Sequence, residues 1–568
     1  MKQISILVQN RVSILCICFA CGIVQCANFD ISITQILLFV PIILCAFYFT
    51  QVVGFFCISF ILGAICMKHR IESIKATNST FLPLSAFITA KVEKVSNNKL
   101  ILSDIRHLSE QIRKLPLKAA VYTQDPLPAV NDIISCKANF QPSNPPLAPK
   151  GYDQRFYYFF EHIQAGGKIS DVAIIQKPAR LNLRQFIKQR LVNQLGEHAD
   201  MSCAILLNDR SLLSKQTIKD FNTCGFGHML AISGLHLAIL STLCALIVKF
   251  ILRLVFCKIH YCLPISPLLL TKIITITTVG FYLSLIGLGF SILRASGMLV
   301  LNLWLWWQDR NVTLNNLVHL TALILMICLP ECVFYPSFQL SFVAMLGFAL
   351  LKSVKIKGFK AYLLKTLQLT LIMSAITFPI TLFHFKQLAL QPFTTNILFM
   401  PYLSLIFIPC AFLSPLLPKF VMLYQTMFVK FAMSKMALIS ITWSGFHLPP
   451  YALAIYCLTI SFIKTELKFI TYIGWIIMTY LTFIQPNIVG LVDQFGRIAR
   501  KESATIYTHS KNESFISKLE EYWGLDKVEY EDKSNLIKKL TLNKYDKGLM
   551  IDKRGNKINY QSPKWFYE

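Results

Sequence analysis

Two imidazoles, His228 and His236, bracket a Ser233-Gly234 step in the stretch FNTCGFGHMLAISGLHLA, residues 221 to 238, inside a run apolar enough to enter a membrane. An ionisable side chain within a bilayer costs roughly 2.5 kcal/mol or more, so both rings are expected to face protein or a water-filled cavity. Small residues let helix backbones approach closely, or let a helix break where it borders such a cavity. On an uninterrupted helix the two rings stand roughly 80° apart, which suits a chelating pair poorly unless the Ser-Gly step distorts the helix. A hydroxyl between two bases also admits nucleophilic chemistry, provided Ser233 lies within hydrogen-bond reach of one of them. The plainer alternative is interhelical packing, each ring bonded to neighbouring backbone.

The elements that hold these residues must form a membrane domain. Hydrophobic residues make up 54% of the chain and charged ones 15%, against about 25% charged in soluble domains. A mean hydropathy of +0.53 over 568 residues is a multi-pass profile. The formal charge of +27, from 56 Lys+Arg against 29 Asp+Glu, suits anionic headgroups and a polyanionic cargo equally. The 17 cysteines fall mostly in apolar runs, as Cys16, Cys18, Cys21 and Cys26 do, and read as small buried hydrophobes. No phosphate loop for a nucleotide occurs, and no cofactor is implied.

In chain order, residues 1–67 carry three expected amino-terminal crossings, the last two parted near Thr50-Gln51. Residues 68–180 turn polar. There FITAKVEKV, KLILSDI, KAAVYT and DIISCKANF alternate apolar and polar residues between turn signals, which predicts a small antiparallel, OB-like β domain. Only Cys136 lies in it, so an internal disulfide is excluded. OB folds stack bases on aromatics above a basic groove, and Arg106, Arg113, Lys114, Lys118 and Tyr122, with Phe140, are the candidates here. The alternative is that Phe140 is core and the charges a solvated face. Residues 181–200 hold an amphipathic helix suited to the headgroup layer. Residues 201–487 contain about nine hydrophobic segments. Their strongest topological marker is the loop of Lys352, Lys355, Lys357, Lys360 and Lys365, with no acid, which predicts a cytoplasmic position. Residues 488–568 form a mixed-charge soluble segment with room for a limited core.

Leu206 to Ala238, with Asp209-Arg210, Gly225-x-x-His228 and AISGLH, resembles the signature segment of the ComEC family of bacterial inner-membrane competence proteins, which pass transforming DNA into the cytoplasm. Further segments carry the resemblance: SILRASGM with Arg294, SFQLSF with Gln339 and Ser341, and FPITLFHFKQLALQPFTTNILFMP with His384 and Asn396. Ser337 stands where the family has a glycine, and Pro330-Glu331 stands in the region of its usual Asp-Pro. The resemblance implies a polytopic α-helical membrane protein of about 11–13 transmembrane helices, with an inserted OB-like extracytoplasmic domain and a short soluble carboxy-terminal segment. Many relatives end in a metallo-β-lactamase-like domain with an H-x-H-x-D-H cluster; after His384 this chain has only His447 and His509, too few for such a two-metal site.

The expected function is a channel for single-stranded DNA with no catalytic centre. Its path is lined by His228, Ser233, Gly234, His236, Arg294, Gln339, Ser341, His384 and Asn396, donors and modest positive charge that release the strand at each site. By family analogy its partners are a periplasmic DNA receptor and a cytoplasmic helicase or translocase, besides the lipid bilayer, and a homo-oligomer is compatible. Two alternatives stand beside it: a transporter of another anionic or lipid-linked substrate, and an intramembrane Ser/His hydrolase.

Overall fold

Apolar runs fold as helices and alternating runs as strands. The computed structural model describes residues 11–29, 51–77, 84–96, 99–107, 118–123, 130–141, 158–176, 183–230, 234–258, 267–286, 289–308, 313–348, 358–385, 387–389, 391–414, 417–438 and 442–444, with short stretches between 456 and 559 and a few single residues.

Helices α1 (Arg11–Phe29) and α2 (Gln51–Thr77) pack backbone against backbone. A Cβ on Gly22 would stand 1.9 Å from the Phe60 carbonyl oxygen, and one on Gly63 2.1 Å from that of Phe19. Ser59 Oγ donates to the Leu15 carbonyl at 2.9 Å. Leu15 meets Ser59 and Phe19 meets Gly63, so the two helices run parallel. The crossing expected within residues 33–50 lies outside the described residues.

Strands β1 (Leu84–Ser96), β2 (Lys99–His107), β3 (Lys118–Tyr122), β4 (Ile133–Gln141) and β5 (Ala165–Gln176) close into a barrel of order β1-β2-β3-β5-β4, with only the β3–β5 pair parallel. The alternation does what period two requires: along β4, Ile134, Cys136, Ala138 and Phe140 point inward and are buried, while Lys137 and Asn139 are exposed. Register shifts at Thr89/Lys91 and Val92/Lys94 let the long β1 bend around the barrel. Outside the barrel, a short helical turn at 158–162 lies across β3. Ala120, fully buried on the outer face, packs with Tyr158, Ile163 and Ile101, while Phe160 and Phe159 reach into the helical core.

After the barrel come α3 (Leu183–Leu195), the wholly buried α4 (Ala199–Leu207) and α5 (Lys215–Thr223). Then follow α6 (Gly234–Lys258), α7 (Pro267–Ile286), α8 (Phe290–Trp307), α9 (Leu314–Cys328), α10 (Pro336–Phe348) and α11 (Phe359–Phe385). Beyond these lie α12 (Pro392–Leu398), α13 (Met400–Leu413, with a π-turn over Leu403–Phe407) and α14 (Lys419–Leu438). Helices α6 to α14 follow the hydrophobic segments expected within residues 201–487; most of residues 450–485 lies outside the described residues. Among the described residues one stretch, Leu363–Phe385, is long and apolar enough to cross a membrane by itself, and seven further apolar helical stretches are shorter.

Two cores build the bundle. One joins α1, α2, α9 and α10; the other joins α3, α4, α7, α13 and α14. Helix α8 belongs to both, giving Ile292 to the second and Met298 to the first. Strand β6 (Gln387–Ala389) pairs antiparallel with β7 (Thr442–Ser444), and the described residues of the carboxy-terminal segment form a six-stranded sheet, order β11-β10-β9-β8-β12-β13, from β8 (Ile488–Val492), β9 (Ile498–Glu502), β10 (Thr505–Thr508), β11 (Lys527–Tyr530), β12 (Leu549–Asp552) and β13 (Lys557–Asn559).

Candidate functional site

The signature segment is clamped before it reaches the bundle interior. Lys188 on α3 donates to Asp209 Oδ2 at 2.7 Å and to Ser211 Oγ at 2.9 Å. Arg184 Nη2 donates to the Leu207 carbonyl at 2.8 Å, and Arg210 Nε to that of Leu230 at 3.1 Å. Burial alone would raise the Asp209 pKa, but hydrogen bonds from Lys188 and Ser211, with the lysine charge, together outweigh it and hold the carboxyl below its ordinary value. The Asp209-Arg210 pair therefore folds the segment back onto α3 and onto its own downstream backbone.

Next the chain turns tightly. Gly225 has φ +79, which an L side chain rarely adopts, and a Cβ there would meet Pro392 Cγ at 2.4 Å. Thr395 Oγ donates to the Cys224 carbonyl at 3.2 Å, so α12 is seated on this turn. A 3₁₀ turn over Gly227–Leu230 follows, and α6 begins only at Gly234. His228 and His236 thus do not share one regular helix. His228 is exposed, its Nδ1 donating to the Gly225 carbonyl at 3.1 Å, whereas His236 is fully buried in the first turn of α6. Ser233 lies outside the described residues.

Four of the remaining path candidates meet on α8, α10 and α11. Arg294, in the second turn of α8 and 7% exposed, donates through Nε to Ser341 Oγ and through Nη1 to Met298 Sδ at 3.7 Å. His384 Nε2 donates to Gln339 Oε1 at 2.9 Å, and Gln339 Nε2 to the Val333 carbonyl at 2.8 Å. Gln339 and Ser341 are two positions apart, about 200° around α10, so one clasps α11 and the other α8. Gly234 faces Arg294: a Cβ on it would stand 3.0 Å from Nη2. Asn396 Nδ2 donates to Thr370 Oγ at 3.2 Å, a point about 21 Å from His384 along α11 at 1.5 Å per residue. The candidates therefore occupy two depths.

The shallower group lies at the barrel end of the bundle. Arg70, near the end of α2 before the chain enters β1, donates through Nε and Nη2 to Glu331 Oε1 at 3.2 and 2.9 Å, and Glu331 sits in the 3₁₀ turn Pro330–Phe334 just before α10. Sequence reasoning gave this acid no role; its partner lies 261 residues away. Asp200 on α4, 3% exposed and ion-paired with Lys430 on α14 at 2.7 Å, was missed likewise.

On the barrel the candidates disperse. Register puts Tyr122, 46% exposed, beside Lys99 on β2 and Lys168 on β5, whereas Arg106 pairs with Thr89 near the far end of β2. Lys118 is ion-paired with Glu93 at 2.9 Å, and Phe140 is core. Arg113 and Lys114 lie outside the described residues. Elsewhere on the outer face Lys137 stands over the exposed Phe87 ring, 5.8 Å from its centroid.

The competence-protein family profile matches residues 205–485. ComE operon protein 3 of Bacillus subtilis (strain 168) is 24% identical over 290 residues, 49% of this chain and 35% of that protein, so the match spans about a third of the relative's length. No solved structure matches. The matched residues run from the clamped α4 through the turn at Gly225 and every helix that carries a path candidate, and this stretch is a competence-protein domain of the ComEC kind.

Proposed function

We propose that the chain is a multi-pass protein of the bacterial inner membrane that conducts single-stranded DNA into the cytoplasm during natural competence. The observation that carries the reading is the meeting of Gly234, Arg294, Ser341, Gln339 and His384, from four helices, at the barrel end of the bundle. Gly234, Arg294 and Ser341 meet at α8, the helix shared by two separately packed cores, while Gln339 and His384 pair across the opposite face of α10. A seam between packed halves is where a hydrated path can open without breaking either core. Irregular backbone supports the same reading: the turn at 224–230, the extended β6 (Gln387–Ala389) before α12, and the π-turn of α13 are tolerated at membrane depth where they line water or are buried in protein.

Topology follows from charge. Helix α11 ends at His384 beside the barrel end and starts at the opposite end with Lys360 and Lys365; short lysine-rich loops stay cytoplasmic, so the barrel faces outward. Lys352, Lys355 and Lys357 lie outside the described residues. The parallel run of α1 and α2 supports an amino terminus of three crossings. Of the polar groups at the seam, the Gln339–His384 and Arg294–Ser341 bonds tie helices together, which leaves the exposed His228 ring and the open edge of Arg294 to meet the strand. A DNA receptor outside and a translocase inside belong to the same proposal.

Uptake of fluorescently labelled DNA tests it. Cells of a transformable host lacking the gene are expected to keep DNA at the surface and to pass none inward; undiminished cytoplasmic uptake refutes the reading. Single cysteines at 228 and 294 in a cysteine-free background are expected to react with a water-soluble thiol reagent, and cysteines at Leu246 or Phe250, exposed on the lipid-facing side of α6, are not.

A further inference from the structure

The first four N–H groups of any helix lack an intrahelical acceptor, and its N-terminus carries about half a positive charge. At the start of the 25-residue α6 that pole meets a guanidinium. Arg294 is 7% exposed, and Nη2 is the nitrogen nearest Gly234, the first residue of the helix, where a Cβ would touch it at 3.0 Å. Nε is held by Ser341 Oγ and Nη1 rests on the Met298 sulfur. Nη2 donates to no protein atom among the described residues, and no carboxylate there pairs with the guanidinium. Nor is Nη2 among the sealed, unpartnered buried atoms, so it borders open space.

Two positive poles are thus brought into contact inside an apolar bundle, with no negative group among the described residues between them. Buried charge is retained where it is paired, and this pair of poles is complementary to an anion. We infer that Arg294 and the N-terminus of α6 form a binding site for a phosphate-type oxyanion, with Gly234 as the residue that lets backbone N–H groups reach it. A glycine at a helix start leaves those donors uncovered for close approach of a phosphate; any side chain at 234 would fill the space and strike the guanidinium. Ser341 orients the fork by holding Nε. In naming its occupant the inference rests on the proposed function: the anion is the phosphodiester of the strand, gripped one phosphate at a time.

The test uses the full chain in nanodiscs of neutral phosphatidylcholine, with a labelled single-stranded oligodeoxythymidine and with inorganic phosphate as separate probes. Arg294→Gln is expected to weaken oligonucleotide binding about tenfold and to lower the slope of log K against log salt by about 0.7, the loss of one phosphate contact on a single strand. Arg294→Lys is expected to restore the slope. A methylphosphonate oligonucleotide, which lacks the charge, is expected to bind wild type and Arg294→Gln alike. Inorganic phosphate is expected to raise the thermal midpoint of wild type and not of Arg294→Gln. If phosphate discriminates and the oligonucleotide does not, the oxyanion site stands and the strand is overturned as its occupant; if phosphatidylglycerol discs abolish the phosphate effect, a lipid headgroup occupies it instead. Equal slopes and equal phosphate responses in wild type and Arg294→Gln overturn the site itself.

Discussion

At the scale of single residues, the side chains legible in the sequence were those whose type is out of place in an apolar run. Arg294, Gln339, Ser341 and His384 are costly in a bilayer and so declared themselves, and the structure gives each a partner on another helix. Their partners were not legible, because pairing between residues far apart in the chain leaves no local pattern. Glu331 shows the energetic weight of such a pair. It is 5% exposed and takes two hydrogen bonds from Arg70, whose side chain is 30% exposed. Removing one partner of a buried pair leaves an uncompensated charge, whereas removing both is often nearly neutral. Arg70→Met is therefore expected to destabilise the protein by about 2 kcal/mol, discounted for the open side of the arginine. Arg70→Met with Glu331→Met is expected to recover most of that loss. Thermal unfolding in detergent, followed by the monodisperse fraction, measures both; a double variant no better than the single one removes the pairing from the account.

At the scale of elements, periodicity read the strands well. The alternation in IISCKANF is the burial pattern of β4, and the four alternating runs are β1 to β4 of the barrel; β5, exposed along most of its length, was not among them. What it missed is the turn at 158–162, because an aromatic segment between strands carries no period that says which surface it will cover. By lying on Ala120 it occupies the middle of the β3 outer face, part of the surface on which OB folds carry single strands. Helix lengths were equally legible, but the interruption before Gly234 was readable only as a Ser-Gly step that allows a break. Helix pairing was not read at all: Gly22 and Gly63 look like ordinary glycines of apolar helices until the carbonyl oxygens of Phe60 and Phe19 are found where their Cβ atoms would be. Gly63→Ala is expected to push α1 and α2 apart and cost about 2 kcal/mol, since backbone cannot step aside as a side chain can. Gly280→Ala in α7, where a Cβ would meet nothing within 4 Å, is expected to be neutral or slightly stabilising. Equal thermal midpoints for the two alanine variants would mean that α1 and α2 are not packed through their glycines.

At the scale of the whole molecule, barrel and bundle are joined through one small region, and that region contains a titratable group. Phe159 and Phe160 insert into the core of α1, α2, α9 and α10, while Tyr158 and Ile163 hold the barrel. His162 closes the turn between these contacts at φ +58, and Arg70, Lys118 and Glu331 are its electrostatic neighbours. Burial, and then the positive charges of Arg70 and Lys118, lower the pKa of its ring below the ordinary histidine value, with Glu331 opposing. The sign follows directly. The folded state binds the proton less well than the released turn, so the docking stability is fully present above about pH 6.5, the value of an unperturbed histidine, and is lost as pH falls from there through the folded value. Acidification is therefore expected to loosen the barrel from the bundle without unfolding either. His162→Asn is the informative substitution, because asparagine accepts the left-handed backbone conformation and does not titrate. Amide exchange across β3 and chymotryptic cleavage at Phe159 and Phe160 are expected to rise between about pH 7 and about pH 5 in wild type and to stay level in His162→Asn. The same rise in both proteins would assign the loosening to other groups and leave His162 as a turn residue.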